Sequence, residues 1–243
     1  MSQEEETTKS GAPIYRHQER ESGRQAPSDE GRNLEAIDRH VQQHIGEVAT
    51  VLHEIASDLV HVDVLYVAAT PERPYQVFVT SGMSDLAMTT PEGVESFDRA
   101  ELLIVLPESW PVTSESVHDE NWYWPIRWLK YVARLPHQYK TWIGWGHTIP
   151  NGDPPESIAN TGFVGVMASL PYWLSEDFHQ LKADSGDTVR FYHLVPLYRE
   201  EMELKLDLGA EELEERMDKA KIGFAIDTGR PNVAKRKRWF SRK

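Results

Sequence analysis

The order of apolar patterns along the chain predicts a mixed α/β (α+β) fold, in which a single mixed sheet is flanked by helices. Several short runs rich in β-branched and aromatic residues are bounded by proline or glycine, which is typical of strands. One helical pattern precedes these runs and two more follow them. A length of 243 residues without internal repeats favours one domain over a solenoid.

The first predicted helix begins near Asn33, which can cap it. Apolar residues then recur at steps of three and four, namely Leu34, Ile37, Val41, Ile45, Val48, Leu52, Ile55 and Leu59. We therefore expect one long helix that Gly46 bends or weakens. His40 and His44 lie off this apolar stripe, and the glutamate that a zinc metalloprotease requires after the first histidine is absent. We expect both to be ordinary exposed histidines.

The remaining elements are predicted from local patterns. The short connection at residues 70–74 favours an antiparallel pairing of the first two strands. Gly209 separates the last two helices. In chain order we expect strands at 62–67, 75–80 and 101–106, a helix at 125–135, strands at 163–167 and 189–195, and helices at 197–206 and 210–220.

Tryptophan is concentrated between residues 122 and 151, where five of the eight tryptophans lie. Because buried aromatics are common, most of them are expected in the core. Trp145 differs, since glycines flank it and His147 follows. Residues 141–149 are predicted to form a strand that enters a turn, with Trp145 and His147 on the same side. A binding surface centred on exposed aromatics would include these two residues.

The charge is unevenly distributed. The formal net charge is −13, but the last ten residues hold six of the 26 basic residues and none of the 39 acidic ones. The other 233 residues therefore carry 20 basic against 39 acidic side chains, a charge of −19. Such a body repels nucleic acid and anionic lipid and attracts cationic partners. Residues 1–32 are predicted to form a disordered leader, 33–232 the domain, and 233–243 a basic flexible tail.

Composition excludes several function classes. The chain has no cysteine, which excludes disulfides, thiolate metal sites and cysteine nucleophiles. No phosphate-binding loop or dinucleotide fingerprint is present, and no metal or cofactor is expected. The chain lacks an apolar run long enough to span a membrane and an apolar leader typical of secretion, so we expect a soluble cytoplasmic protein.

The segment Ser81–Asp85 is similar to the nucleophile elbow of serine hydrolases, because a serine follows a predicted strand at a turn. Leu86 stands where the second glycine of that motif is required. The simpler interpretation is a loop closed by the side chains of Ser84 and Asp85 themselves. A hydrolase that uses Ser84 or His147 is retained as an alternative.

Several sequence blocks occur together in order, namely Thr80–Asp85, Glu101–Pro107 with Trp110, Arg134–His137 leading to Trp145–Gly152, and Pro196–Tyr198 with Glu200–Met202. In these blocks, from residue 33 to residue 232, the chain resembles the suppressor of fused domain family. The resemblance implies a mixed α/β domain without an assigned enzymatic activity. Animal members are two-domain proteins that bind and restrain transcription factors of the Hedgehog pathway, and the chain is similar to their first domain. Bacterial single-domain relatives are thought to be immunity proteins that neutralise a toxin.

We therefore expect a non-enzymatic protein-binding module, an immunity or antitoxin-like protein that occludes a basic toxin. The predicted partner-binding residues are Trp145, His147, Ser84 and Asp85, and no catalytic residue is assigned. We expect the folded body to bind neither nucleic acid nor membrane. Besides the hydrolase, a regulatory scaffold whose basic tail binds anions is a further alternative.

Overall fold

The computed structural model describes residues 6–17, 25–27, 31–54 and 57–235. Its helices are α1 (Leu34–His44), α2 (Glu120–Tyr139), α3 (Arg199–Leu208) and α4 (Ala210–Lys219). Its strands are β1 (Thr50–Leu52), β2 (Asp63–Val67), β3 (Tyr75–Ser81), β4 (Ala100–Pro107), β5 (Thr148–Pro150), β6 (Phe163–Ser169), β7 (Gln180–Lys182) and β8 (Thr188–Tyr198). The prediction of a mixed sheet with helices packed on it is confirmed.

All eight strands belong to one sheet, in the order β1-β2-β3-β4-β8-β6-β5, with β7 also paired to β8. The β2–β3 pair is antiparallel, as the short connection between them predicts. Only the β4–β8 pair is parallel among the described strands. A parallel pair needs a crossover, and here the chain between β4 and β8 contains α2 and three further strands.

The two faces of the sheet are covered by different helices. On one face α2 packs through Trp124, Trp128 and Val132 against residues such as Leu194 of β8. The other face carries two separate apolar clusters, one beneath α1 and one beneath α3 and α4. Phe191 belongs to the first and Leu197 to the second, so β8 passes under both. The fold is therefore a sheet between helical layers.

The predicted long first helix is wrong in its second half. Helix α1 ends at His44, and Gly46 follows with a φ of 148°, a backbone conformation that suits glycine. Residues 50–52 instead pair with β2 as an edge strand, because their Thr-Val-Leu run suits a pleated, half-buried position. Pairing along the sheet thus replaces the continuation of the helical pattern. Residues 55 and 56, which the predicted helix includes, lie outside the described residues.

The prediction that His40 and His44 are exposed is also wrong. His40 is buried and stacks on Phe178 and Phe191, with ring centroids 5.1 and 5.0 Å away. Its Nε2 lies 3.1 Å from the carbonyl oxygen of Phe178. His44 is half-buried and packs against the ring of Phe178. Both aromatic partners come from distant parts of the chain, so the helical pattern alone could not reveal them.

Other boundaries also differ from the sequence prediction. The helix predicted from residue 197 begins at Arg199, because residues 197 and 198 continue β8. Helix α2 begins at Glu120, five residues before the predicted start, because Asp119 caps it by accepting a hydrogen bond from the N–H of Asn121 at 2.9 Å. Within the predicted strand at 141–149, only residues 148 and 149 are extended, as part of β5. Of the five tryptophans expected mostly in the core, Trp124 and Trp128 are buried, Trp142 and Trp145 are half-buried and Trp122 is 42% exposed, so the expectation holds for two of the five.

Candidate functional site

Ser84 and Asp85, predicted as partner-binding residues, lie in the interior beside Glu101 of β4. Ser84 and Glu101 are both 0% exposed. The carboxylate of Glu101 accepts hydrogen bonds from the hydroxyls of Thr80 (2.5 Å) and Ser84 (2.7 Å). It also accepts the backbone N–H groups of Gly82 and Ser84, each at 3.0 Å. The loop after β3 is therefore organised around this one buried acid.

Burial outweighs these four donors and raises the pKa of Glu101 to about 7. Only glycine fits at position 82, where the loop turns. Its φ is 116°, and a Cβ atom there would lie 1.9 Å from the carbonyl oxygen of His61. The loop thus needs glycine for both its backbone conformation and its close approach to the neighbouring segment.

Asp85 binds the start of α1, not its own loop. Its carboxylate accepts the backbone N–H groups of Gly31 at 2.7 Å and Asn33 at 3.1 Å. Burial raises its pKa, although these hydrogen bonds act in the opposite direction. Asn33 makes no side-chain cap to α1, and its amide donates to the carbonyl oxygen of Ser84 at 3.3 Å. The interpretation of a loop closed by its own Ser84 and Asp85 side chains is therefore wrong.

The hydrolase alternative uses Ser84 or His147, and no described hydrogen bond or ring contact joins these two residues. The histidine beside the loop is His137, whose Nε2 lies 3.0 Å from the carbonyl oxygen of Met83. Burial lowers the pKa of His137 to about 4. The hydroxyl of Ser84 is directed to a carboxylate and is shielded from solvent. This arrangement stabilises a loop, and although the Glu101 carboxylate could act as a base, the buried Ser84–Glu101 pair is closed to a substrate.

His147 lies on a surface of aromatic rings between the end of α2 and the start of β5. The ring centroid of Trp142 is 4.5 Å from that of His147. Tyr139, at the end of α2, carries the ring of His17, with centroids 5.5 Å apart. Tyr15 lies 6.0 Å from His147, and its hydroxyl accepts the indole N–H of Trp142 at 3.3 Å. We call Tyr139, Trp142 and His147 the aromatic surface.

The segment that covers this surface belongs to the predicted disordered leader. Residues 6–17 fold back on themselves through a bridge between Thr7 and Pro13. Ser10 donates its backbone N–H to the carbonyl oxygen of Leu206 at 3.2 Å, and Lys9 pairs with Asp207 at 2.9 Å. The boundaries of leader, domain and tail stay a prediction. Residues 18–24, 28–30 and 236–243 lie outside the described residues, so most of the basic tail does too.

The side chain of His147 is largely shielded from solvent and lies near a positive charge. Burial, together with the nearby ammonium of Lys205, lowers its pKa to about 4. The imidazole is consequently neutral at pH 7 and can serve as a stacking and hydrogen-bonding group without a charge. The structure therefore gives His147 the properties of a contact residue in an aromatic surface.

Trp145 points to a different place from His147. Its indole N–H donates to Glu214 of α4 at 3.2 Å, and Glu214 also accepts the hydroxyls of Ser169 (2.5 Å) and Tyr172 (3.4 Å). Burial raises the pKa of Glu214. The expectation that Trp145 and His147 share one side fails, because the residues between them form a turn at Gly146 with a φ of 79° and not a strand.

Glu214 lines a cavity of about 640 Å³ over β6 and β8. The cavity lies between the apolar cluster beneath α1 and the one beneath α3 and α4. Met167 and Val195 line its floor, and residues 222–227 form one wall. At its base lies His193, which is 5% exposed and whose Nε2 has no hydrogen-bond partner among the described residues. Sequence reasoning had no signal for this cavity, because its lining is drawn from distant segments.

Sequence reasoning missed three features. Tyr15 and His17 cover the aromatic surface, Trp142 is part of that surface, and a cavity lies at His193. Tyr15 was visible only as an isolated apolar residue in a polar leader. No group of three or more histidine, aspartate or glutamate residues with metal-binding geometry occurs among the described residues. Within the same residues, no helix has the length and apolar character to cross a bilayer.

A family model described as Suppressor of fused protein (SUFU) matches residues 58–231. The chain belongs to the suppressor of fused protein family. Solved structures agree in fold. A homologue from Neisseria gonorrhoeae aligns with a TM-score of 0.59 and 20% identity, over 84% of this chain and 95% of that one.

Two further solved structures share the suppressor of fused fold. A structure of the Sufu-Fu complex aligns with a TM-score of 0.57 and 16% identity, over 83% of this chain and 92% of that one. Drosophila Suppressor of Fused aligns with a TM-score of 0.55 and 14% identity, over 83% of this chain and 51% of that one. No curated protein sequence matches the chain.

In this suppressor of fused chain, the block after β8 fixes the C-terminal segment. Glu201 is fully buried and pairs through both oxygens with Arg230, at 2.7 and 2.6 Å. Arg230 also donates to the carbonyl oxygen of Pro196, and the hydroxyl of Tyr198 donates to that of Arg230, each at 2.8 Å. This buried ion pair holds residues 222–230 against the sheet, where they form the cavity wall.

Proposed function

We propose that this protein is a non-enzymatic binding module that uses its aromatic surface to hold an extended segment of a partner protein. One observation carries the proposal: the chain's own Tyr15 and His17 already lie on Tyr139, Trp142 and His147. A surface that holds one aromatic segment can hold another of similar chemistry by exchange. The exchange would uncover Trp142 and His147, a pairing of the kind that anchors protein interfaces.

A solved structure with the same fold supports a role in protein binding. A structural relative with the same fold was solved as the Sufu-Fu complex, which is an assembly of two proteins. In this chain, the Ser84 hydroxyl donates to the Glu101 carboxylate at 2.7 Å, but both side chains are 0% exposed, so a substrate has no access to this pair. The proposal retains His147 from the predicted binding residues. Ser84 and Asp85 are assigned to the support of the fold, because both are buried.

We further propose that the partner is basic, and that it is a toxin which this protein occludes. The support is the charge of −19 on residues 1–233, which favours encounter with a cationic protein. Helices α3 and α4 place exposed acids, such as Glu203 and Glu211, on the elements that flank the docked segment. A basic partner would meet these acids while its aromatic residues occupy the aromatic surface.

A peptide with the sequence of residues 6–17 tests the exchange directly. Full-length Tyr15→Ala loses the hydroxyl and ring that hold its own segment, so it should bind the fluorescently labelled peptide more tightly than wild type does. A second substitution, Trp142→Ala, should abolish that gain. Tyr131→Ala, which removes an exposed tyrosine elsewhere on α2, is the matched control and should behave as wild type. Equal peptide binding by Tyr15→Ala with and without Trp142 would refute the proposed surface.

Capture from a lysate of the native host at low salt tests the partner. The captured protein should be lost with Trp142→Ala, retained with Tyr131→Ala and eluted by the peptide of residues 6–17. Reversal of charge at Glu203 and Glu211 to lysine should lower the salt concentration needed for elution. Co-expression of the captured protein with and without this chain then tests occlusion: growth arrest that the chain does not relieve contradicts the toxin assignment.

A further inference from the structure

The cavity at His193 has features that the binding proposal does not use. At about 640 Å³ it is as large as typical small-molecule sites, and its lining is mostly apolar. It lies outside the aromatic surface, since none of Tyr139, Trp142 and His147 lines it. A site of this size can hold a two-ring apolar body, with room for a polar group at one end.

The base of the cavity offers unsatisfied hydrogen-bonding atoms. His193 is a register partner of Ser169, so both side chains lie on the face of the sheet that the cavity covers. Trp173 also lines the cavity, and its indole N–H is buried without a partner among the described residues. Native proteins rarely leave buried polar atoms unpaired, and ligand sites are a common reason for exceptions. A bound molecule with a hydrogen-bond donor at its polar end would pair with Nε2 of His193 in the tautomer in which that atom accepts, whereas the indole N–H of Trp173 can only donate.

The charge around the cavity selects the sign of that polar end. Four carboxylates line it, from Glu214, Glu215, Asp218 and Asp227. Among the described residues of the lining, Arg230 is the one arginine or lysine, and Glu201 already accepts hydrogen bonds from both of its terminal guanidinium nitrogens. Three donors, from Trp145, Ser169 and Tyr172, hold the Glu214 carboxylate in place. The lining therefore favours a cation and disfavours an anion.

The walls are built to persist without a ligand. The backbone N–H of Ile226 donates to the carbonyl oxygen of Val105 at 2.8 Å, which ties the outer wall to the sheet. Phe224 of that wall stacks on Trp173 at 4.8 Å. Tyr172, which is 61% exposed, lies at the rim. A preformed pocket with an aromatic rim loses little entropy on binding.

From these observations, we propose that the cavity binds an apolar amine, with an aromatic or aliphatic body on Met167, Val195 and Phe224 and an ammonium group at Glu214. The amine is either a free small molecule or a pair of neighbouring side chains, one aromatic and one basic, from another protein. This site is separate from the aromatic surface, so the two proposals stand or fall independently.

Three indole probes of similar size test the site in full-length protein by isothermal titration calorimetry: tryptamine, which is cationic, tryptophol, which is neutral, and indole-3-propionate, which is anionic. Tryptamine should bind about tenfold more tightly than the acid, as expected for a charge-assisted hydrogen bond. Glu214→Gln should remove most of that preference, and Glu92→Gln, at an exposed acid outside the cavity, should leave it unchanged.

Ala225→Trp places a large side chain in the cavity and should abolish binding of all probes, while a thermal melt reports whether the variant folds. Glu214→Gln gives a second readout that does not depend on that variant. A blocked lysyl-tryptophan amide, compared with tryptamine, distinguishes the sources: tighter binding of the dipeptide points to a protein segment, and tighter binding of tryptamine to a free amine. Equal binding of the three probes, or binding that survives in folded Ala225→Trp, overturns the proposal.

Discussion

Replacing Glu101 with glutamine should change how the stability of this protein depends on pH. The carboxyl group is fully buried, and its pKa rises from an ordinary value of 4.5 to about 7 in the folded protein. Glutamine keeps the shape and one acceptor oxygen for the backbone N–H groups of Gly82 and Ser84. Its amide can donate to Thr80, whose hydroxyl now donates to Glu101. The substitution thus removes the titration with little change in packing.

The sign follows from proton binding. Between pH 4.5 and pH 7 the folded state holds a proton on Glu101 that the unfolded state has released, so the unfolding free energy falls as pH rises through this window. The full effect corresponds to about 3 kcal/mol. Between pH 5 and pH 8, where most measurements are practical, it amounts to about 2–3 kcal/mol. Well below pH 4.5 and well above pH 7 this group contributes no slope.

The assay is urea unfolding at several pH values, followed by tryptophan fluorescence, for wild type, Glu101→Gln and the exposed control Glu203→Gln. Other titrating groups contribute equally to all three proteins, so the difference between wild type and Glu101→Gln isolates the buried acid. We expect this difference to change by about 2–3 kcal/mol between pH 5 and pH 8. Parallel curves for wild type and Glu101→Gln would show that Glu101 is ionised throughout and would refute the reasoning.

Three further predictions address other buried contacts. Arg230→Met leaves Glu201 as an uncompensated buried charge and should lower the unfolding free energy by about 3–5 kcal/mol. The double variant with Glu201→Gln should recover part of that loss. Additive effects of the two substitutions in urea unfolding would contradict a paired role. Gly82→Ala should destabilise the protein by more than about 3 kcal/mol, because residue 82 has a positive φ and an added Cβ would clash with the carbonyl oxygen of His61. A melting temperature near that of wild type would argue against this close approach. Burial lowers the pKa of His193 to about 4, so the unfolding free energy that the neutral imidazole contributes above pH 6.5 should be lost as pH falls toward 4. Over that range, the unfolding free energy of His193→Phe should fall by about 3 kcal/mol less than that of wild type. An identical fall in both proteins would indicate that His193 is not the responsible group.

Elements with a strong local pattern were predictable. The runs that became β2, β3 and β4 occupy nearly their predicted bounds, because β-branched residues between turn residues carry their own signal. Trp124 and Trp128 of α2, four residues apart, are likewise buried on one helix face, whereas Trp122 is exposed. The second half of the first predicted helix failed, since an edge position beside β2 was available for Thr50–Leu52 and the helical pattern carries no information about it.

The candidate sites were less predictable than the fold. Trp145 and His147 attracted attention through their glycines, but the turn at Gly146 directs one toward Glu214 and leaves the other on the aromatic surface. Ser84 was chosen from a motif on a turn, and its chemistry depends on Glu101, a residue 17 positions away. Sequence spacing cannot report such distant partners, because the free energy of a contact depends on what the fold brings within a few ångströms.

The sequence by itself determined the fold class, the family resemblance and the acidic body, because composition and local periodicity encode them directly. Tertiary structure alone decided which polar groups are buried, that residues 15–17 cover the aromatic surface, and that a cavity separates two apolar clusters on one face of the sheet. These features arise where segments far apart in the chain pack together. Hydrogen bonding, burial and charge then act between neighbours in space.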